Sequence, residues 1–188
     1  MGRLRDSCDA DDELLVDRFL GGDRSAFDAL VRRYQDPVLR FVAWSIGGDE
    51  AEDAAQDVFV EMYRSLATWR RQSSFRTWLY GVARNVCRRH VRRHAARGHV
   101  TGGVDVDDLP GPSDPSLRAA ESDANALLLA AIARLPPDQR VTLMLRAWEG
   151  LAYHEIAAAT DVPVGTVRSR LHTARRTLAA AISARDDE

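Results

Sequence analysis

Three groups of residues in this 188-residue chain have types and spacings that can do chemistry. The first interleaves aromatics with arginines: Trp69, Phe75, Trp78 and Tyr80 alternate with Arg70, Arg71, Arg76 and Arg84 around the polar loop Gln72-Ser73-Ser74. Aromatic rings can stack on unpaired bases while guanidinium groups hold the strand backbone, so the pattern suits opened nucleic acid. The second is the segment from Tyr153 to Ala180, which reads as helix, tight turn and arginine-rich helix, with no acidic residue between Pro163 and Arg185. The third is Cys87, His90 and His94, which share one side of a helix and offer three ligands of the kind zinc takes. A fourth ligand is not evident, and Arg88, Arg89, Arg92 and Arg93 crowd the same segment. A helix end whose His and Arg side chains meet phosphate is therefore the preferred reading and no metal is expected; a Cys8–Cys87 redox pair is an equally unsupported alternative. No cofactor is expected.

These residues need helices to position them. Ser25, with Asp28 three residues on, opens a helix carrying Phe27, Leu30, Val31, Tyr34, Val38, Leu39 and Val42, which Gly47-Gly48 ends. Asp49 and Glu52 resemble a capping box for a second helix running through Leu66. On it Ala51, Ala55, Val58, Met62 and Leu66 form the buried stripe. The opposite face carries Asp53, Gln56, Asp57 and Val60. An apolar valine among acids suits docking on a basic partner surface, against the plainer reading of a solvated acidic face. Ser74 starts a third helix, with Phe75, Trp78, Leu79, Val82 and Val86 on one side at helical spacing. That arc assigns Phe75 and Trp78 to packing. Thr77, Arg84 and Arg88 point away from it, Tyr80 and Asn85 flank it, and Asn85 can hydrogen-bond an everted base.

Further along, helices are expected over Asp123 to Arg134 and Pro136 to Trp148, followed by two short ones, with Pro136-Pro137 and Gly150 at the joints. In the last pair Asp161 occupies the turn and Pro163 suits the start of the final helix. There Val164, Val167, Leu171, Ala174 and Leu178 make one arc, opposite Thr166, Ser169, His172, Thr173 and Arg176, with Arg168, Arg170 and Arg175 toward the flanks. Such a helix can enter a major groove, where arginine reads guanine and serine or threonine serves phosphate or base edges. A basic surface helix in a small bundle is the plainer alternative. No segment alternates as a strand would, so the fold class is all-α.

Organisation and charge follow the same division. Gly98 to Ser116 is rich in glycine, proline and aspartate without apolar periodicity, and reads as an extended linker. Residues 10–97 and 122–184 are thus expected as two small helical domains, with 98–121 joining them. Net charge is −2, but charge is segregated: acidic from Trp44 to Tyr63, basic from Arg64 to His99, acidic again to Asp123, and basic from Pro163 to Arg185. Two basic blocks between acidic ones suggest two polyanion contacts and a separate partner for the acidic surfaces. All the basic blocks use arginine and none uses lysine. The longest apolar run, Ala126 to Ala133, is far short of the ~20 residues that span a bilayer. Met1 to Asp12 is polar and acidic and unlike a signal peptide, so a cytoplasmic location is expected.

The string from Asp49 to Leu66, the run SSFRTWLYGVARNVCRRHVRR from Ser73, and the run from Leu135 to Leu178 closely resemble the extracytoplasmic-function sigma factors of bacteria. The resemblance covers nearly the whole chain in the right order. It implies a sigma region 2 bundle and a sigma region 4 helix-turn-helix on a flexible linker. It implies a bacterial alternative sigma factor that binds core RNA polymerase and directs promoter-specific initiation. On this likeness Asp53, Gln56, Asp57 and Val60 dock on the clamp of the polymerase's largest subunit. Arg76, Thr77, Tyr80, Arg84, Asn85 and Arg88 face the −10 element, with Asn85 at the position that meets a flipped base. Thr166, Arg168, Ser169, Arg170, His172, Thr173 and Arg176 face the −35 element. An anti-sigma protein is implied as a further partner, and membrane insertion is not. Two positions depart from the family pattern: Thr173 stands where many members have arginine, and Gly81 where a larger residue is common.

Rival functions explain less. No nucleotide loop, nucleophile motif or acid/base constellation marks an enzyme. Asp53 and Asp57 as nuclease metal ligands would occupy the face that the resemblance gives to polymerase. A conventional repressor or response-regulator output domain accounts for the helix-turn-helix but not for the aromatic and basic segment. The linker's aspartates can mimic nucleic acid in a basic polymerase channel, or simply keep a tether soluble.

Overall fold

The computed structural model describes residues 2–48, 50–96 and 123–186, and the described residues are helical apart from short joints. The expected linker and Asp49 lie outside them. In chain order the helices are α1 (Gly2–Leu20), α2 (Arg24–Ile46), α3 (Ala51–Ser65), a 3₁₀ turn (Leu66–Thr68), α4 (Phe75–Ala96), α5 (Asp123–Ala133), α6 (Pro137–Ala147), α7 (Tyr153–Thr160) and α8 (Val164–Asp186).

Local chemistry sets most boundaries. Asp23 caps α2: its carboxylate accepts from the Ser25 backbone N–H at 3.0 Å and the Ser25 hydroxyl at 2.6 Å. The expected start at Ser25 is thus one residue inside the helix. At the other end Gly47 takes φ 106°, a conformation open to glycine, and its N–H closes on the Ala43 carbonyl. Glu50 stands at the head of α3 without a side-chain cap. Ser74 caps α4, its hydroxyl accepting from the Thr77 N–H at 3.3 Å. Asp161 turns the chain from α7 toward α8 in the left-handed region, φ 50° and ψ 52°.

One helix was not legible in advance. The polar segment before Asp12 belongs to α1, which packs on α2. Asp12 is fully buried there, accepting from Arg33 and from the Tyr34 hydroxyl. Burial raises its carboxyl above the ordinary value, and these two hydrogen bonds pull the other way.

In the N-terminal half α2 packs against α1, α3 and α4, and in the C-terminal half α8 packs against α5, α6 and α7. The stripe Ala51, Ala55, Val58, Met62 and Leu66 is buried as expected. The two halves do not stand apart. Helix α4 packs against α7, and α2 against α6, so that Phe41, Leu79, Tyr80 and Ala83 share one continuous core with Leu145, Leu151, Ile156 and Ala159. Arg140 pins this junction. Its buried guanidinium donates to the Trp44 carbonyl at 2.7 Å, and to the carbonyls of Ala133 and Leu135 at 2.7 and 3.1 Å.

Candidate nucleic-acid interface

The last helix separates its two faces cleanly. Val167, Leu171 and Ala174 are buried, while Arg168, Ser169, His172, Thr173, Arg175 and Arg176 are exposed. Thr166 and Leu178 are half-buried. Val164, expected on the core arc, is 38% exposed because it starts the helix before α8 meets its neighbours. Arg170, expected toward the flank of this face, is half-buried and pairs with Asp138 at the head of α6. Helix α7 is braced by Glu155, whose carboxylate accepts from the Ala152 N–H at 2.6 Å. The exposed face of α8 is therefore cationic and hydroxyl-bearing.

On α4 the outcome is divided. Asn85 and Arg88 are exposed. Thr77 and Tyr80 are not: they are 1% and 0% exposed. The expectation that Thr77 points away from the core is corrected, because α7 lies across that side of α4. The Thr77 hydroxyl contacts the Ser74 hydroxyl at 3.0 Å and donates to Glu155 at 3.5 Å. Tyr80 is tilted against Phe41 with ring centroids 5.2 Å apart, and burial followed by the nearby Glu149 charge pushes its phenol well above the ordinary value. Arg76 donates to the Glu149 carbonyl at 3.2 Å. Arg84 is half-buried; burial first, then the neighbouring Arg88, lowers its guanidinium. Beside it a cleft of about 580 Å³ opens between the halves, lined by Phe41, Arg84, Arg88, Val91, Leu135 and Arg140. Trp69, Phe75 and Trp78 pack edge-on or tilted on one another, with Phe75 buried and the two tryptophans partly buried against the core.

The acidic face of α3 carries exposed Asp53, Gln56 and Asp57 beside Val60, which is 45% exposed. One turn on, Tyr63 is 52% exposed while its ring edge rests on Phe19 and Phe27. Tyr63 extends the apolar strip beyond what the sequence reading assigned; its i+3 spacing from Val60 was the available signal. Arg140 was also missed, since nothing in its neighbourhood marks it as buried.

Cys87 does not join His90 and His94. It is buried, and burial pushes its thiol up to about 12, partly offset by Ser45. Cys8 has no described side chain, so a Cys8–Cys87 pair lies outside the described residues.

Comparison with known proteins gives a consistent result. The family model described as Sigma-70 region 2 matches residues 30–97, and that described as Sigma-70, region 4 matches residues 125–178. The RNA polymerase sigma-H factor of Pseudomonas aeruginosa is 38% identical over 179 residues, covering 89% of this chain and 91% of that protein. The ECF RNA polymerase sigma-E factor of Escherichia coli K12 is 35% identical over 178 residues, covering 89% and 92%. Among solved structures, CnrH in complex with the cytosolic domain of CnrY aligns with a TM-score of 0.66 at 24% identity, covering 93% of this chain and 98% of that one. The sigma factor RpoE of Bartonella quintana, in complex with the anti-sigma factor NepR, aligns with a TM-score of 0.67 at 22% identity, covering 84% and 96%. These two likenesses bear on the fold.

Proposed function

The chain belongs to the RNA polymerase sigma factors of the extracytoplasmic-function type, and on that premise we propose how its helices divide the work of initiation. As a sigma factor it directs promoter recognition and transcription initiation. Asp53, Gln56, Asp57 and Val60 on α3, extended by Tyr63, dock on the clamp of core RNA polymerase. Acids meet the basic partner surface while the valine and tyrosine bury apolar area at the centre. Arg76, Thr77, Tyr80, Arg84, Asn85 and Arg88 on α4 serve the −10 element. Asn85 hydrogen-bonds a base turned out of the stack, and the arginines hold the strand. Thr166, Arg168, Ser169, Arg170, His172, Thr173 and Arg176 on α8 serve the −35 element.

The observation that carries this reading is the division of α8 into a buried apolar face and an exposed face of arginine, serine, histidine and threonine. Occlusion of Thr77, whose hydroxyl meets Glu155 of α7, adds a condition. The closed chain cannot offer its whole −10 face, so core polymerase must hold the halves apart before the promoter is read. Arg170 must likewise leave Asp138 to reach DNA. The residues 98–121 then bridge the separated halves.

The chain works as an initiation factor and not as an enzyme, in the cytoplasm where polymerase and promoter meet. Among the described residues no helix is long and apolar enough to cross a membrane. Family membership also supports restraint by an anti-sigma protein, as RpoE of Bartonella quintana is found bound to NepR.

Footprinting a mapped promoter tests the reading against a self-sufficient repressor. Protection is expected only with chain and core enzyme together; specific protection of duplex by the chain alone would support the repressor.

A further inference from the structure

Beside the surfaces assigned above, the start of α3 and the second half of α4 bring together a set of donor atoms that sigma-factor activity does not require. His90 and His94 lie one turn apart on α4, the i, i+4 spacing with which a helix presents two imidazoles to one ion. Glu50, at the head of α3 and free of capping duty, faces both: its Oε2 is 2.6 Å from His94 Nε2 and 3.7 Å from His90 Nδ1. One donor atom from each residue falls within 4.8 Å of the others. The other nitrogen of His90, Nε2, is 2.9 Å from Asp57 Oδ2.

That last contact is the informative one. The carboxylate of Asp57 thus holds one ring nitrogen of His90 and leaves the other, Nδ1, on the side of Glu50 Oε2. A carboxylate that orients a histidine through its far nitrogen is the usual support of a metal-bound imidazole. The three donor side chains are partly sheltered, His90 most of all at 12% exposed, while Asp57 lies at the surface. The nearby Arg89 is engaged with Glu61 at 3.1 Å.

We propose that Glu50, His90 and His94 form a binding site for a divalent transition metal of the zinc class, with Asp57 orienting His90. Two imidazole nitrogens and one carboxylate favour zinc, cobalt or nickel over calcium or magnesium, which take oxygen. Tetrahedral zinc sets neighbouring donors about 3.3 Å apart, so the Glu50–His94 distance opens and the Glu50–His90 distance closes by less than an ångström, while the two imidazole nitrogens, within 4.8 Å, draw together. The fourth position is left to water. Metal bound here ties the first turn of α3 to the far half of α4, and Asp57 is shared between orienting His90 and the docking face. The proposal stands on these side chains alone, and its readout does not depend on transcription.

The test is calorimetric titration of zinc chloride into the full-length, tag-free chain stripped with chelator, with cobalt(II) absorption as a second probe. One zinc per chain with micromolar or tighter affinity is expected, together with the visible bands of four-coordinate cobalt. His90→Ala/His94→Ala should weaken binding by roughly a hundredfold or more and Glu50→Gln by roughly tenfold or more, at least what loss of a mere outer-shell partner costs. Cys87→Ala should leave binding unchanged. Circular dichroism of the metal-free variants verifies folding. X-ray absorption of the zinc-loaded natural chain reads the ligands without any substitution, with nitrogen and oxygen but no sulfur expected. No binding at micromolar zinc, a sulfur shell, or affinity that survives loss of both histidines would overturn the site.

Discussion

A Cβ placed on Gly81 of α4 would stand 3.7 Å from the carbonyl oxygen of Ala159 on α7, which is ordinary contact with no room beyond it. Gly81 departs from the larger residue common in the family, and the gap it leaves is where the two halves cross. Gly81→Ala should therefore be tolerated, whereas Gly81→Leu should wedge α7 off α4. Small-angle scattering of the free chain reads this directly: the leucine variant is expected to show a larger radius of gyration, the alanine variant an unchanged one. Equal radii for all three chains would mean that this crossing does not hold the closed form.

Arg140 supplies the polar counterpart of that crossing. Its guanidinium meets three carbonyl oxygens and, at 4% exposure, is nearly out of water. Arg140→Met keeps much of the volume but leaves those carbonyls short of donors, at a cost of about 3 kcal/mol. Urea unfolding followed by circular dichroism measures it. A loss under about 0.5 kcal/mol, the ordinary range for a surface substitution, would show that water replaces the guanidinium freely.

The buried thiol of Cys87 gives a pH signature. Its pKa is raised from 9.0 to about 12, so the folded chain holds this proton more tightly than the unfolded chain. The sign follows: the contribution is fully present below about pH 9 and is lost as pH rises from there through about 12. Stability of the natural chain should fall more steeply over that interval than that of Cys87→Ala. Iodoacetamide at neutral pH should label Cys87 only after denaturant is added. Prompt labelling of the folded chain would contradict its burial.

Asn85 is exposed on α4 while its neighbours Val86 and Cys87 are buried, so its amide is free to act on DNA without disturbing the core. Asn85→Ala should leave folding and core binding intact and reduce strand opening by roughly tenfold or more, the cost of losing one or two base hydrogen bonds. Permanganate reactivity of promoter thymines checks this. Unchanged opening with unchanged −10 preference would remove Asn85 from base recognition.

Much of this was legible from residue spacing. Periodicity alone located α2, α3 and α4, because each has a continuous apolar stripe, and Asp161 and Pro163 marked the turn before α8. The exposed faces of α3 and α8 also emerged from the same patterns. What the patterns could not carry was the contact between the halves. By spacing Thr77 looks outward and Tyr80 flanking, yet Thr77 is covered by α7 from more than seventy residues away and Tyr80 is buried against Phe41 of α2. Helix α1 was hidden for a related reason: its first half is polar, and Asp12 is buried through a pairing with Arg33 and Tyr34 that sequence distance conceals. In the metal-ligating set Cys87 gave way to Glu50, since helical spacing ranks residues of one helix and says nothing of the helix packed beside it.

The most direct test of the account is run-off transcription from a mapped promoter, using core RNA polymerase with the natural chain or with Asp53→Arg/Asp57→Arg. Both aspartates are exposed on α3, so the folded state should survive their replacement. Reversing two charges on the docking face should reduce transcript at least tenfold, about 1.4 kcal/mol or more of lost association. Excess factor should restore part of it. Undiminished transcription by the doubly substituted chain would contradict docking through α3, and with it the division of labour proposed for the helices.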